Sequence, residues 1–249
     1  MKDKINVLGI YIDRITKQEL YESIEKSLNS DCKTKIFTPN PEIIVKAQKD
    51  EKIKNILNSA TLSIPDGTGI IWAAKKLGTP LPQRLDGIDT AEFVLSLAVK
   101  KGLSVFLLGA EEGIAKSAKY ILEEKYQGLN ICGTHHGFFD INGQQNGDII
   151  HRINNSGADI LFVCMGFPRQ EIWINENIEK LNSVRLGMGL GGSLDVWSGK
   201  VRRAPKVFRK LYLEWLWRII LEPKRIRFLP VIPLFVLKVL RERSQKYKN

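Results

Sequence analysis

The sequence predicts an α/β protein: a mostly parallel sheet with helices on both faces, followed by a helical C-terminal appendage. Three observations predict it. Short apolar runs alternate with amphipathic helical patterns through the first 199 residues, as parallel strands joined by covering helices do. Several of these runs end in loops rich in Gly or Pro, the usual punctuation between a strand and a helix. The basic charge, by contrast, is confined to the last fifth of the chain.

Residues 6–12, 35–38, 103–108, 159–165 and 184–190 read as strands. Thr16 and Glu19 form a capping box ahead of Leu20, Ile24 and Leu28 at helical spacing, and residues 90–101 and 113–125 repeat that spacing. No internal repeat or low-complexity segment interrupts the pattern. The 43% hydrophobic content suffices for a sizeable core, which argues against disorder. Three cysteines with no C-x-x-C pair disfavour a disulfide framework or a zinc site and fit a reducing compartment. Residues 1–12 lack an apolar stretch of signal-peptide length. The longest apolar run, 228–237, is interrupted by Pro230 and Pro233 and falls short of the ~20 residues that span a bilayer. The expectation is a protein either soluble or lying on a membrane surface.

A boundary falls near Gly199, dividing a core, 1–199, from an appendage, 200–249. The appendage carries fifteen Lys or Arg against three Glu, a charge of +12 that accounts for the whole chain's +11. Residues 206–222 read as a helix with one broad apolar face (Phe208, Leu211, Tyr212, Trp215, Leu216, Ile219), and Leu213, Trp217 and Ile220 intrude on its other side. A helix apolar on more than one side needs more than one dry neighbour.

Active sites of such sheets gather at the carboxyl ends of the strands, so the strand exits hold the candidates. In Thr38-Pro39-Asn40-Pro41 two prolines stiffen the loop; Thr38 and Asn40 could bond a sugar, or the segment could simply start a helix with Pro41 in its first turn. Asp66, between Pro65 and Gly67, is either a general base or a helix cap. Arg84, after a Pro-rich turn, could grip a phosphate or form a surface salt bridge. Gly109, in Leu108-Gly109-Ala110-Glu111-Glu112-Gly113, begins either a nucleotide-contacting turn or a plain tight turn. It lacks the full G-x-G-x-x-G pattern of dinucleotide binding. After Gly166-Phe167-Pro168 come Arg169, Gln170 and Glu171; Gln170 could read a uracil or sugar edge, and Glu171 suits a helix dipole. A second glycine-rich exit, 187–192, leads to Asp195, a candidate for a ribose hydroxyl or for a cap. There is no Asp-x-Asp pair, no convincing metal-ligand set among the three His, and no Walker loop or G-x-S-x-G elbow. Chemistry without a metal or cofactor is favoured, with basic groups and helix dipoles neutralising a leaving diphosphate.

Taken together, the segments resemble the WecG/TagA/CpsF glycosyltransferase family. The likeness is carried by Thr38-Pro39-Asn40, Pro65-Asp66-Gly67, Arg84, Gly109-Ala110, Gly166 to Glu171, Gly189 to Asp195, Arg202-Arg203-Ala204-Pro205, Glu214-Trp215, Arg218 and Glu222-Pro223-Lys224-Arg225, in order along nearly the whole chain. It implies a Rossmann-like core and a metal-independent, inverting transfer of a nucleotide-activated sugar to an undecaprenyl-diphosphate-linked sugar. Within the family the chain looks most like the teichoic-acid branch, whose donor is UDP-N-acetylmannosamine, whose acceptor is N-acetylglucosaminyl-diphospho-undecaprenol and whose product is β-(1→4) linked. Other branches use other UDP-sugars, such as the uronate, on the same type of acceptor.

The resemblance makes Asp66 the general base with Thr38 beside it. Asn40, Arg84 and Gln170 would hold the donor, the Gly109 turn and Asp195 would complete the nucleotide pocket, and Arg218, Arg225 and Arg227 would reach a diphosphate or lipid phosphate. It also implies work at the cytoplasmic face of the membrane, with the basic, Trp-bearing tail as a peripheral anchor; apolar tail surfaces could also support a homo-oligomer. Two other classes compete: a nucleic-acid-binding protein, disfavoured because the tail's charges interleave with Trp, Leu and Ile, and a membrane-associated sugar-nucleotide hydrolase or sensor.

Overall fold

The computed structural model describes residues 3–205, 207–208, 214–221, 226 and 229–246, and only the backbone of Glu214, Trp215, Arg218 and Lys246. Six strands, β3 (Thr34–Phe37), β4 (Leu62–Ser63), β5 (Ser104–Gly109), β6 (Asn130–His135), β7 (Ile160–Cys164) and β8 (Leu186–Gly189), form one sheet in the order β4-β3-β8-β7-β5-β6. Every pairing in it is parallel. The expected α/β fold is therefore present. The strand order turns back on itself twice: β3 and β8 are neighbours although the chain leaves β3 for β4, and β5 lies between β6 and β7.

The central strands are buried along their length, as a sheet covered on both faces requires. Their side chains alternate between two cores. Phe37, Phe106, Leu108, Leu161 and Val163 face one, packed with helices α2 (Pro41–Ala47), α3 (Glu51–Asn58), α4 (Thr68–Lys76), α7 (Gln144–Ser156) and α8 (Arg169–Asn177). Ile36, Val105, Leu107, Ile160, Phe162 and Met188 face the other, with α1 (Lys17–Leu28), α5 (Gly87–Lys101), α6 (Ile114–Lys125) and α9 (Ser193–Trp197). The capping box predicted at Thr16 and Glu19 forms at the start of α1.

The first predicted strand, 6–12, is corrected by the structure. It is a hairpin of two short antiparallel strands, β1 (Lys4–Val7) and β2 (Ile10–Asp13). The cause is local: Leu8 and Gly9 take φ of 53° and 82°, and the Asn6 side chain accepts the Gly9 N–H at 2.7 Å, so the chain reverses inside what reads as one apolar run. The hairpin lies against the β4 edge. Buried Asp13 accepts the Ser63 N–H at 2.7 Å and pairs with Lys4 at 3.5 Å, which covers an edge that would otherwise offer itself to another chain.

Beyond the core, α10 (Glu214–Leu221) and α11 (Val231–Lys246) are described; part of the predicted 206–222 helix lies outside the described residues. Pro233 does not break α11, because it stands in the first turn, where no intrahelical N–H bond is lost. This last helix packs on α2 and α4, and its Phe235 and Val239 are buried in the same core as Phe37 and Trp173. The appendage therefore shares a core with residues 1–199. Among the described residues no helix is long and apolar enough to cross a membrane.

Truncating Phe235 should cost about 3–5 kcal/mol, the range for emptying a buried aromatic site. Leu237→Ala, on the same helix but 52% exposed, should stay within about 0.5 kcal/mol. Urea unfolding of the two variants checks the docking of α11; equal losses would refute it.

Candidate active site at the carboxyl edge of the sheet

All six parallel strands release the chain at one edge, so their exit loops share one region whatever their separation in sequence. At the β3 exit, Asn40 is the N-cap of α2, its side-chain oxygen accepting the Ile43 N–H at 3.0 Å, with Pro41 in the first turn. The helix-start reading is thus realised. The amide nitrogen, the half of Asn40 that donates, takes no part in the cap.

The β4 exit lies directly beside it. The Ile64 N–H donates to the Phe37 carbonyl at 2.9 Å and the Asp66 N–H reaches the Pro39 carbonyl at 3.4 Å. The N-cap of α4 is Gly67, at φ 88°, and Asp66 stands one residue before it. A Cβ on Gly69 would collide with the Pro41 ring, so the first turns of α2 and α4 press together. The loop bearing Arg84 closes this group: the Leu85 N–H donates to the Pro65 carbonyl at 3.1 Å, and a Cβ on Gly87 would lie 3.2 Å from the Thr38 methyl. Arg84 forms an ion pair with Asp86, but its side chain is only 12% exposed, so it is no surface bridge. Thr38, Asn40, Asp66 and Arg84 thus sit on three loops stitched together by backbone contacts.

A second group forms at the middle strands. Gly109 has φ 141°, and a Cβ there would run into the Cys164 backbone; the neighbouring Ala110 N–H donates to the Cys164 carbonyl at 3.0 Å. Contact between β5 and β7 is thus reason enough for this glycine. Asp195, in the first turn of α9, lies 3.8 Å from Lys200, which also bonds Glu111 at 2.8 Å, so the β8 exit and the β5 exit share one charged bridge.

Gln170 joins the β7 and β8 exits. It is 3% exposed. Its side-chain oxygen accepts the N–H of Gly166 at 3.2 Å and of Gly191 at 2.9 Å, and its nitrogen donates to Glu171 at 2.9 Å. Expected to hold the donor, it also ties together the backbone of two loops through its amide. Glu171, read from sequence as a mere complement to the helix dipole, is 1% exposed, and burial pushes its carboxyl up to about 7. The available signal was the spacing of Gln170, Trp173, Ile174 and Asn177, whose periodicity marks the buried side of α8 and puts Glu171 at its margin.

Helices α4, α6 and α8 begin at this edge behind Gly67, Gly113 and Pro168, with no side-chain cap bond. Their first N–H groups and positive dipole ends suit an anionic ligand. Cys164, buried at the end of β7, has its thiol pushed up to about 12 by desolvation and is no nucleophile. Two surface depressions, one beside Tyr21 and Phe93 and one beside Asn55 and Ser59, include none of these residues. Among the described residues no group of three or more His, Cys, Asp or Glu could hold a metal ion.

The order of these loops along the chain decides the kinship, for a model of the glycosyl transferase WecG/TagA/CpsF family matches residues 5–249. The chain belongs to the WecG/TagA/CpsF family. Proteins from two strains of Staphylococcus aureus, MRSA252 and NCTC 8325, are each 34% identical to it over 244 residues, covering 97% of this chain and 94% of theirs. Both are named N-acetylglucosaminyldiphosphoundecaprenol N-acetyl-beta-D-mannosaminyltransferase. This member of the WecG/TagA/CpsF family is accordingly a glycosyltransferase, as its sequence led one to expect.

The tail residues of the family pattern are only partly visible. Arg203 bonds Asp89 and lies 3.8 Å from Glu92, tying the tail to α5. The Trp217 indole donates to the Arg202 carbonyl at 3.1 Å. Arg225 and Arg227 lie outside the described residues, and only the backbone of Arg218 is described, within α10.

Two glycines separate strain from collision. Gly113→Ala meets open space at φ 82° and should cost about 1–2 kcal/mol, the left-handed penalty alone. Gly109→Ala adds overlap with the Cys164 backbone and should cost a further ~1–3 kcal/mol. Denaturant unfolding compares them; equal costs would remove the β5–β7 explanation of Gly109.

Proposed function

We propose that this glycosyltransferase moves N-acetylmannosamine from UDP-N-acetylmannosamine to N-acetylglucosaminyl-diphospho-undecaprenol, forming a β-(1→4) bond with inversion and without a metal ion. One observation carries the reading: the loops of Thr38 and Asn40, of Asp66 and of Arg84 are joined by the Asp66–Pro39 and Leu85–Pro65 backbone bonds and the Gly87–Thr38 contact. The loops that carry an acid, a hydroxyl, an amide and a guanidinium thus share one corner of the sheet's carboxyl edge, which supports the reading. The activity named for the S. aureus relatives supplies the acceptor and the sugar transferred, and the resemblance described above supplies the UDP donor.

In this reading Asp66 takes the proton from the acceptor hydroxyl as that oxygen attacks the anomeric carbon, while UDP departs from the opposite face. Inversion needs one displacement and no covalent enzyme intermediate. Thr38 stands beside the base. Arg84 and the Asn40 amide nitrogen face the donor's diphosphate and sugar, and the uncapped starts of α4 and α6 help neutralise the leaving group. The Gly109 turn and Asp195 border the nucleoside, and Gln170 serves that pocket by holding its loops. The tail brings Arg218, Arg225 and Arg227 to the lipid diphosphate at the cytoplasmic membrane face. Ile232, Leu234, Leu237 and Leu240 form its exposed apolar surface, which suits interfacial attachment or self-association.

The test is a transfer assay with UDP-N-acetylmannosamine and a short-chain lipid-diphospho-N-acetylglucosamine, with and without EDTA, and with UDP-N-acetylmannosamine uronate as the competing donor. Product should persist in EDTA and show the β configuration by NMR. Asp66→Asn should lower kcat by about 10²–10⁴, the usual worth of a general base. Arg84→Ala should lower kcat/KM at least tenfold. An unchanged rate for Asp66→Asn removes the base, and preference for the uronate reassigns the donor.

A further inference from the structure

Gln170 has a problem that a neighbour must solve. Its amide oxygen faces two backbone N–H groups, those of Gly166 and Gly191, and its nitrogen needs an acceptor in a site sealed from water. Were the amide turned over, its NH2 would face two other donors and the bracket between the loops would be lost. The acceptor present is Glu171 Oε1, 2.9 Å away. Gly189 belongs to the same packing, since a Cβ there would lie 2.9 Å from the Gln170 nitrogen. The other Glu171 oxygen, Oε2, is buried with no hydrogen-bond partner. A carboxylate so placed would hold a charge with only the Gln170 amide and its own backbone N–H to offset its desolvation, which is unfavourable; a neutral acid avoids that charge at the smaller cost of one unpaired O–H.

We propose that Glu171 acts as an uncharged carboxylic acid that orients the Gln170 amide and thereby holds the β7 and β8 exit loops in the shape that receives the donor nucleotide. Glu171 is a positioning residue. Nothing requires it to touch substrate, and the inference rests on the donor reading given above.

The charges around α8 are engaged elsewhere. From β3, Lys35 bonds Asn175, one turn further along the helix. From α3, Lys52 pairs with Glu176, and Lys54 with Glu51. In the 3-10 turn Ile178–Lys180, Lys180 bonds Asn177, and Glu179 stands beside it. From α7 the ionisable groups are Asp148, His151 and Arg152, all exposed. The β7 and β8 strands bring only Cys164, which stays protonated. Arg169, next to Gln170, donates to the Phe139 carbonyl. Among the described residues no cation pairs with Glu171, in keeping with a carboxyl held up near 7 by burial.

The folded chain therefore keeps a proton that the unfolded chain releases between about pH 4.5 and about 7. Stability is largest below that window, falls as pH rises through it and levels off above.

The experiment compares the full-length protein with Glu171→Gln and Gln170→Ala, using UDP-N-acetylmannosamine as the probe, because its diphosphate diester does not titrate near neutrality. Wild-type affinity by calorimetry should fall at least fivefold between pH 6 and pH 8.5. Glu171→Gln should bind within twofold of wild type at pH 6 and show no such fall, and Gln170→Ala should bind weakly throughout. The thermal midpoint of wild type should drop between pH 4.5 and 7 more steeply than that of Glu171→Gln. Infrared spectra of the unmutated protein should show a protonated carboxyl stretch at pH 6 that fades by pH 9, a readout that survives misfolding of either variant. A pH dependence shared by wild type and Glu171→Gln, or no protonated carboxyl at pH 6, overturns the proposal. Failure of wild type to bind the nucleotide sugar at any pH would instead strike the donor reading, and the infrared result would still decide the state of Glu171.

Discussion

Parallel pairing is the constraint on which everything else depends. Because all six strands of the sheet run the same way, each must hand the chain to a helix at the same edge. Residues as far apart as Thr38 and Asp195 are thereby delivered to one surface before any side chain forms a contact. The edge is then fastened in two ways. Three loops at the β3–β4 corner are joined by backbone bonds, and two at the centre are bracketed further out by the Gln170 amide. The first arrangement is insensitive to side-chain chemistry. The second adds that amide to the Leu190–Val163 backbone bond and so depends in part on it.

The sheet also has to be finished at its sides. At β4 the task falls to Asp13, which brings the N-terminal hairpin against a strand of only two residues. That strand leads straight to Pro65 and Asp66, so a salt-bridged carboxylate at the far end of the chain steadies the candidate base without approaching it. At the other extreme, Arg203 ties the start of the tail to α5 through Asp89 and Glu92, and α5 begins at Gly87, against Thr38. The N-terminal hairpin and the start of the tail are thus anchored to elements that border the candidate site.

Much of this was legible in the residues. Alternating runs gave the layers, the capping box placed α1, and Pro and Gly marked the loops that carry Asp66, Arg84 and Asn40. The rest was hidden for identifiable reasons. A reversal at Leu8-Gly9 was masked because apolar residues continue through it; the β4 strand is too short to show a period. Gly109 reads the same whether a ligand or the Cys164 backbone comes close, and only coordinates distinguish the two. Glu171 is a charged residue type in a place that excludes charge; the helical spacing of its neighbours puts it only at the margin of the buried side, and its full burial comes from the packing of the sheet beneath. The burial of Phe235 and Val239 depends on contacts with helices nearly two hundred residues away.

Those two side chains divide α11 lengthwise. Phe235 and Val239 wedge it onto α2 and α4, and Leu234, Leu237 and Leu240 look outward. Whatever apolar surface seats on the outward side therefore lies one helix away from the two helices whose first residues are Pro41 and Thr68. The same helix thus has one side built into the support of Asn40 and Asp66 and the other open to solvent.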